Sequence, residues 1–253
     1  MKRFIKYLLP VLILAMILTA CTSGADNDPA EPYDFTAPPE VQVFPPGPQP
    51  FDPDFVEAYT ELVSLVSDRE FGRFEPLLDD DTAVSVDPRD RRGPLEFYDA
   101  WESNATFQDA PVFWPAFEKI FDLGGVYDAD AKVFKAPYTV FECPEEFKDN
   151  NSDYCFILIS DDVNVYEEKD TKSRVIGVAA YNVVYLDRDE RGYSEKGPAD
   201  LIKINTLGGV SGYIEKRHMW SMMDFRLEMH KTEDGWKIKY FVTGKEWEWM
   251  ARE

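Results

Sequence analysis

The sequence is poor in histidine, in cysteine and in positive charge, and each shortage removes a class of function. His218 and His230 are its only histidines, and its three cysteines, Cys21, Cys143 and Cys155, include no close Cys-x-x-Cys pair. Too few ligands gather in any stretch for a zinc site, so neither a metal nor a cofactor is expected. Lys and Arg number 27 against 48 Asp and Glu, a formal net charge of −21. No basic patch exists to neutralise phosphate, which excludes nucleic acid and anionic headgroups as partners. The acidity is read first as solubility, and otherwise as attraction for cations or a basic partner. No internal repeat is present.

Signatures of catalysis are missing too. An esterase elbow requires Gly-x-Ser-x-Gly between strand and helix. Gly208-Gly209-Val210-Ser211-Gly212 has the wrong spacing and falls in a predicted strand turn. A cysteine nucleophile would need Cys143 or Cys155 beside His218 or His230. Two carboxylates could cut glycosidic bonds if their pKa values were pushed apart, yet 48 acidic residues single out no pair. Asp128-Ala129-Asp130 opens like a calcium loop, but Lys132 stands where an oxygen ligand is needed and the turn glycine is missing. No catalytic residue is assigned, and the chain is not expected to be an enzyme.

What is present begins at the N-terminus. Lys2, Arg3 and Lys6 precede an apolar run from Leu8 to Leu18 that only Pro10 interrupts. The run is too short for a comfortable membrane span and reads as the core of a signal peptide over residues 1–20. Its end, Leu18-Thr19-Ala20-Cys21, resembles the lipobox of bacterial lipoproteins. That resemblance implies cleavage before Cys21 and a diacylglyceryl group, with palmitate-type chains, on its thiol. The expected location is the cell envelope, lipid-anchored. Thr22, not Asp, after the cysteine resembles cargo sent to the outer membrane where the host has two. An exported protein meets oxidising surroundings, so Cys143 and Cys155 are expected to form a disulfide. Closing so short a loop would stabilise by about 3 kcal/mol in the chain-entropy account. Two reduced, buried thiols are the alternative.

From Thr22 to Pro53 no hydrophobic period appears, and prolines recur in an acidic stretch. Proline removes donors and favours extended polyproline II, so residues 21–53 read as a semi-stiff tether, or else a docking peptide for a proline-reading groove. Residues 54–158 read as a mainly helical α+β domain. Phe55, Tyr59, Leu62, Val63 and Val66 recur at helical spacing. A shorter helix follows over Phe71–Leu78, then a strand at Thr82–Val86. Another helix starts at Pro94, and a last one runs from Trp114 to Leu123, stopped by Gly124-Gly125. The order helix, Glu70 to Asp81, strand, helix resembles the opening of small cone-shaped α+β domains related to the nuclear transport factor fold. The likeness covers about fifty residues and breaks after Leu123, where such domains continue into a long curved sheet.

Residues 159–253 read as short strands separated by turns. Candidates are Phe156–Ser160, Val163–Tyr166, Val175–Ala180, Val183–Leu186, Leu201–Ile204 and Ser211–Ile214. The Asp234-Gly235 step then joins Phe225–His230 to Trp236–Val242 as a hairpin. Val163-Asn164-Val165-Tyr166 and Thr171-Lys172-Ser173-Arg174-Val175-Ile176-Gly177 resemble the opening of bacterial SH3-like domains. Gly209-Val210-Ser211-Gly212-Tyr213-Ile214 resembles their closing half. The likeness spans about sixty residues. Tyr166 stands where arginine is usual, Tyr213 replaces tryptophan, and Asp187–Asp200 is a long charged insertion. The resemblance implies a small SH3-like β-barrel with the hairpin added at its C-terminus, and an uncharacterised lipoprotein carrying such a domain overall. Tyr166, Tyr213 and Trp220 lie on segments that frame the binding face of such barrels. There they would stack on sugars or clasp extended peptides, or else serve as core. Trp247 and Trp249 are read as packing back onto the barrel. The expected function is a non-enzymatic binding or scaffold role toward wall material, peptidoglycan included, or an envelope protein partner. The alternatives are an unrecognised envelope hydrolase in the N-terminal domain and an inhibitor or immunity-type protein.

Overall fold

A long amphipathic helix, α1 (Pro53–Asp68), opens the folded part. Pro53 sits in the first turn, where its missing N–H costs nothing, and Arg69, in the left-handed conformation (φ 56°), closes the other end. The structure, a computed structural model, describes residues 31–84, 92–103, 113–144, 147, 154–187 and 201–244. Two 3-10 turns, Phe71–Arg73 and Glu75–Leu77, follow α1 where one short helix is predicted. Pro76 at the head of the second turn removes the donor a continuous helix would need. Next come β1 (Ala83–Val84), α2 (Pro94–Tyr98, extended as a π-turn over Asp99–Ser103) and α3 (Phe113–Leu123). The remaining elements among the described residues are β2 (Val126–Asp128), β3 (Val133–Ala136), α4 (Tyr138–Glu142), nine further strands and a 3-10 turn at Lys216–His218.

Two sheets organise these elements. The first has five strands in the order β1-β12-β11-β3-β2, where β11 is Arg226–Thr232 and β12 is Gly235–Val242. The second has seven, in the order β10-β4-β7-β8-β9-β5-β6. Its members are β4 (Cys155–Leu158), β5 (Val163–Tyr166), β6 (Val175–Ala179), β7 (Val183–Leu186), β8 (Leu201–Thr206), β9 (Ser211–Glu215) and β10 (Met219–Ser221). The chain thus starts the first sheet, leaves it after β3 to build the whole of the second, and returns to fill the gap between β1 and β3. β11 pairs antiparallel with β3 (Met229 opposite Phe134), and β1 pairs parallel with β12 (Ala83 opposite Tyr240).

Helices α1 and α3 cover one face of the five-stranded sheet. Phe55, Leu62, Leu65 and Val66 of α1 and Phe117 and Ile120 of α3 meet Leu227, Met229, Ile238 and Phe241 in one core. Phe117 stacks on Phe241 with ring centroids 4.0 Å apart. Ile238 and Phe241 are three residues apart, which strict alternation would send to opposite faces. The register skips Lys239, since Met229 faces Ile238 and Glu228 faces Tyr240. That bulge returns both apolar residues to the helical side. The second sheet wraps its own core, in which Phe156, Leu158, Val163, Val165, Val184, Ile202, Ile204 and Ile214 meet. Cys155 and Ile157, alternating with these on β4, face a third cluster with Val43, Tyr138, Val140 and Met222. Burial on both faces explains the unbroken apolar run of β4.

Several expectations are corrected here. Residues 33–53 do not extend as a free tether, because Tyr33–Glu253 form a single unit. Phe35, 1% exposed, enters the core of the seven-stranded sheet, and Val43, 3% exposed, enters the third cluster. Tyr33 N–H donates to the Ile176 carbonyl at 2.7 Å, Val43 N–H to Tyr181 at 2.8 Å, and the Val41 carbonyl accepts from Val183 N–H at 2.9 Å. A strap rich in proline has few donors to satisfy, so a handful of bonds and widely spaced apolar side chains suffice to hold it. The boundary at 158/159 also fails, since β4 belongs to the second sheet. The C-terminal hairpin is no addition to a barrel; it supplies the centre of the first sheet. The seven-stranded sheet is open, with β6 and β10 at its edges, and no closed barrel forms among the described residues. The architecture is α+β. Cys21 and the tryptophans at 247 and 249 lie outside the described residues, as do Ser85 and Val86 of the predicted strand.

Candidate ligand cleft

The strap, the start of α1 and the end of α3 converge on a cleft of about 380 Å³. Pro45, Pro46, Gln49 and Phe51 form one wall, Phe55, Val56, Tyr59 and Thr60 of α1 a second, and Leu123-Gly124-Gly125 with Phe134 the floor. Each part is held for a local reason. Gln49 fastens the strap, its Nε2 donating to the Gly125 carbonyl at 2.8 Å and its Oε1 accepting from Tyr127 N–H at 2.6 Å. Gly125 is required, because a Cβ there would collide with the Phe134 ring and the Lys135 carbonyl. Gly124, at φ 70°, takes the left-handed conformation that ends α3. Asp52 meets Lys132 at 2.6 Å, and Asp54 pairs with Lys231, so the N-terminus of α1 is pinned to the β2–β3 turn and to the end of β11. The Lys132 ammonium beside Asp52 holds that carboxyl below the usual carboxylate range.

The lining carries no charged side chain. Phe51 and Val56 are exposed at the rim, 41% and 47%, so the cleft presents apolar surface to solvent. Tyr59 packs edge-on against Phe121 and Phe134, with centroids 5.5 and 5.2 Å away. Burial pushes its phenol up to about 12, so the hydroxyl stays a neutral donor. Size, concavity and composition are those of small-molecule sites.

The residues proposed from sequence for a ligand face are not gathered into one. Trp220 has no exposed surface and belongs to the core of the first sheet, with Lys119 Nζ 4.4 Å above its ring. On β10, Met219 faces one core and Trp220 the other, which joins the two sheets. Tyr166, 8% exposed, is buried, and Tyr213, half-buried, is its cross-strand partner. Cys143 and Cys155 are brought together: both are buried in the third cluster, as thiols, and a hydrogen bond with Cys143 raises the Cys155 pKa. Asp128 serves its own hairpin, accepting from Asp130 and Ala131 N–H at 3.0 and 2.8 Å. No group able to hold a metal occurs among the described residues.

Two polar constellations escape the sequence. On the outer face of the first sheet, Lys135, Glu228 and Tyr240 are register partners across three strands. Glu228, 5% exposed, pairs with His230 through one oxygen and accepts from the Tyr240 hydroxyl through the other, with Lys135 Nζ at 3.8 Å. Both oxygens are engaged, so this carboxylate ties strands together and presents no free base. In the second sheet Ser160 Oγ lies 3.0 Å from His218 Nδ1, and burial lowers the imidazole pKa. Ile159 N–H donates to the His218 carbonyl at 2.9 Å, which makes the pair a staple between the segments that follow β4 and precede β10. Strand periodicity marks side 230 and side 228 as neighbours, but only the register across β3 and β12 completes the first group.

The fold and the cleft define an α+β protein with a small apolar cleft beside a proline-rich strap. No protein-family model, no curated protein and no solved structure matches the chain.

Proposed function

We propose that this chain is a lipid-anchored, non-enzymatic binding protein of the cell envelope, and that the cleft between strap and α1 is its binding site. The open apolar cleft carries the reading, because soluble surfaces seldom leave such a concavity without an occupant. The anchor rests on Leu18-Thr19-Ala20-Cys21. Among the described residues no helix is long and apolar enough to cross a membrane. Cells fed labelled palmitate should label the parent and not Cys21→Ser; equal labelling would remove the anchor from this reading.

The finer fold assignment belongs to the same proposal. An SH3-like reading of the second sheet is supported by the β5–β6 hairpin, by β9 on its other side, and by Gly212, where a Cβ would collide with Val165. A cone-shaped α+β reading of the rest is supported by the sheet that follows α3, with the SH3-like part inserted between β3 and β11. The cysteine pair is a disulfide in oxidising surroundings on this reading. Unreduced protein should then resist alkylation at Cys143 and Cys155 after denaturation, whereas two modified thiols would show the reduced alternative.

Binding is tested with the neutral apolar fluorophore N-phenyl-1-naphthylamine and the Thr22–Glu253 form, which keeps the complete Tyr33–Glu253 unit. The parent should bind it saturably, and Val56→Trp, which fills the cleft from an exposed position, should weaken binding at least tenfold. Equal binding by the two proteins would refute the site.

A further inference from the structure

We infer that the cleft selects a neutral, mainly hydrocarbon or aromatic molecule that carries one acceptor oxygen, held by the Tyr59 hydroxyl; this rests on the cleft being the binding site. The other polar side chains of the lining, and the carbonyls of its two glycines, are committed elsewhere. Both ends of the Gln49 amide are engaged, and Thr60 Oγ1 donates to the Val56 carbonyl at 2.6 Å. The Gly124 carbonyl accepts from Tyr138 N–H at 2.9 Å and the Gly125 carbonyl from Gln49. Tyr59 is the exception: its hydroxyl makes no hydrogen bond to any described residue, although the ring is wedged among Phe55, Phe121 and Phe134.

Unlike the Tyr127 and Tyr138 hydroxyls it is not sealed in the core, so it remains reachable from the cleft and free to donate to an acceptor on a ligand in place of water. Charge narrows the class further. An anion would meet no lysine or arginine in the lining, inside a chain of net charge −21. A cation would meet no carboxylate there either. The remaining surface is ring and aliphatic carbon, which rewards apolar area. One donor in an apolar wall fixes the ligand's orientation and supplies selectivity against equally apolar molecules that lack the oxygen.

The test compares three probes on the Thr22–Glu253 form. Prodan, a neutral naphthalene with a ketone oxygen, should bind, and Tyr59→Phe should weaken it about fivefold, the worth of one neutral hydrogen bond. Prodan emission from the parent complex should lie to the red of that from the variant, because a donated hydrogen bond shifts it. N-phenyl-1-naphthylamine, with no acceptor oxygen, should bind parent and Tyr59→Phe equally. The anionic 1-anilinonaphthalene-8-sulfonate should bind more weakly than either. If prodan is indifferent to Tyr59→Phe, or the sulfonate binds best, the ligand class is wrong while the cleft remains a binding site. Should neither neutral probe bind, or Val56→Trp leave their binding unchanged, the cleft reading itself falls.

Discussion

A fragment from Ser160 to Glu253 is expected not to fold, although its sequence reads as a self-sufficient barrel with a hairpin. It lacks β4, which lies between β7 and β10 and contributes Phe156 and Leu158 to the core. The strap goes with it, and so does Phe35, whose ring lies so close to Gly177 that a Cβ there would collide with it. The hairpin β11–β12 is left without β1 and β3 on its two sides and without α1 and α3 over Leu227, Met229, Ile238 and Phe241. An isolated two-stranded hairpin is marginal in water. Circular dichroism and amide proton dispersion should show an unstructured or aggregating chain, whereas Tyr33–Glu253 should melt cooperatively. A well-dispersed spectrum from the fragment would mean that the second sheet is independent of the strap and of β4.

Trp220→Ala should lower stability by about 3–5 kcal/mol, as truncation of a large buried ring does. The side chain is wholly buried and lies where the two sheets meet, while Met219 beside it enters the other core. The substitution also removes the ring under Lys119, whose Nζ lies 4.4 Å from the ring centroid and 3.4 Å from Asp224. Denaturant titration should show the loss in the midpoint of both sheets together, since neither is covered without the junction. Tyr213→Ala, at a half-buried site, should cost far less. A Trp220→Ala protein of parental stability would return that ring to the surface and to a ligand face.

Much of the secondary structure was legible because its pattern is local. The period of Phe55, Leu62 and Val66 places α1, Gly124 ends α3, and the alternation of Val163 with Val165 and of Ile202 with Ile204 places β5 and β8. The hairpin β2–β3 was missed because Asp128 and Asp130 were weighed as calcium ligands when Asp128 caps a turn. The five-residue α4 and three-residue β10 were missed because neither is long enough to express a period. The cleft was invisible for a different reason. Its walls come from residues 45–60 and 123–134, and the strap that makes one wall read as tether, since proline-rich composition says nothing about where an isolated Phe35 or Val43 is buried.

The sequence by itself determined the acidity, the lack of a metal or catalytic motif, and the type and place of most helices and strands. It also marked many of the residues that pack inward, among them Phe55, Leu62, Val66, Val163, Val165, Ile202 and Ile204. These follow from composition and from periods of 3.6 and 2, which each segment carries alone. Only the tertiary structure decided that β11 and β12 belong beside β1 and β3, across an inserted sheet of seven strands. It alone decided that the strap closes two clusters, that Trp220 is core, and that Tyr59 lines an apolar cleft without a hydrogen bond to any described residue. Strand neighbours and side-chain partners are set by pairing and burial between distant segments, and alternation along one strand does not name its neighbour.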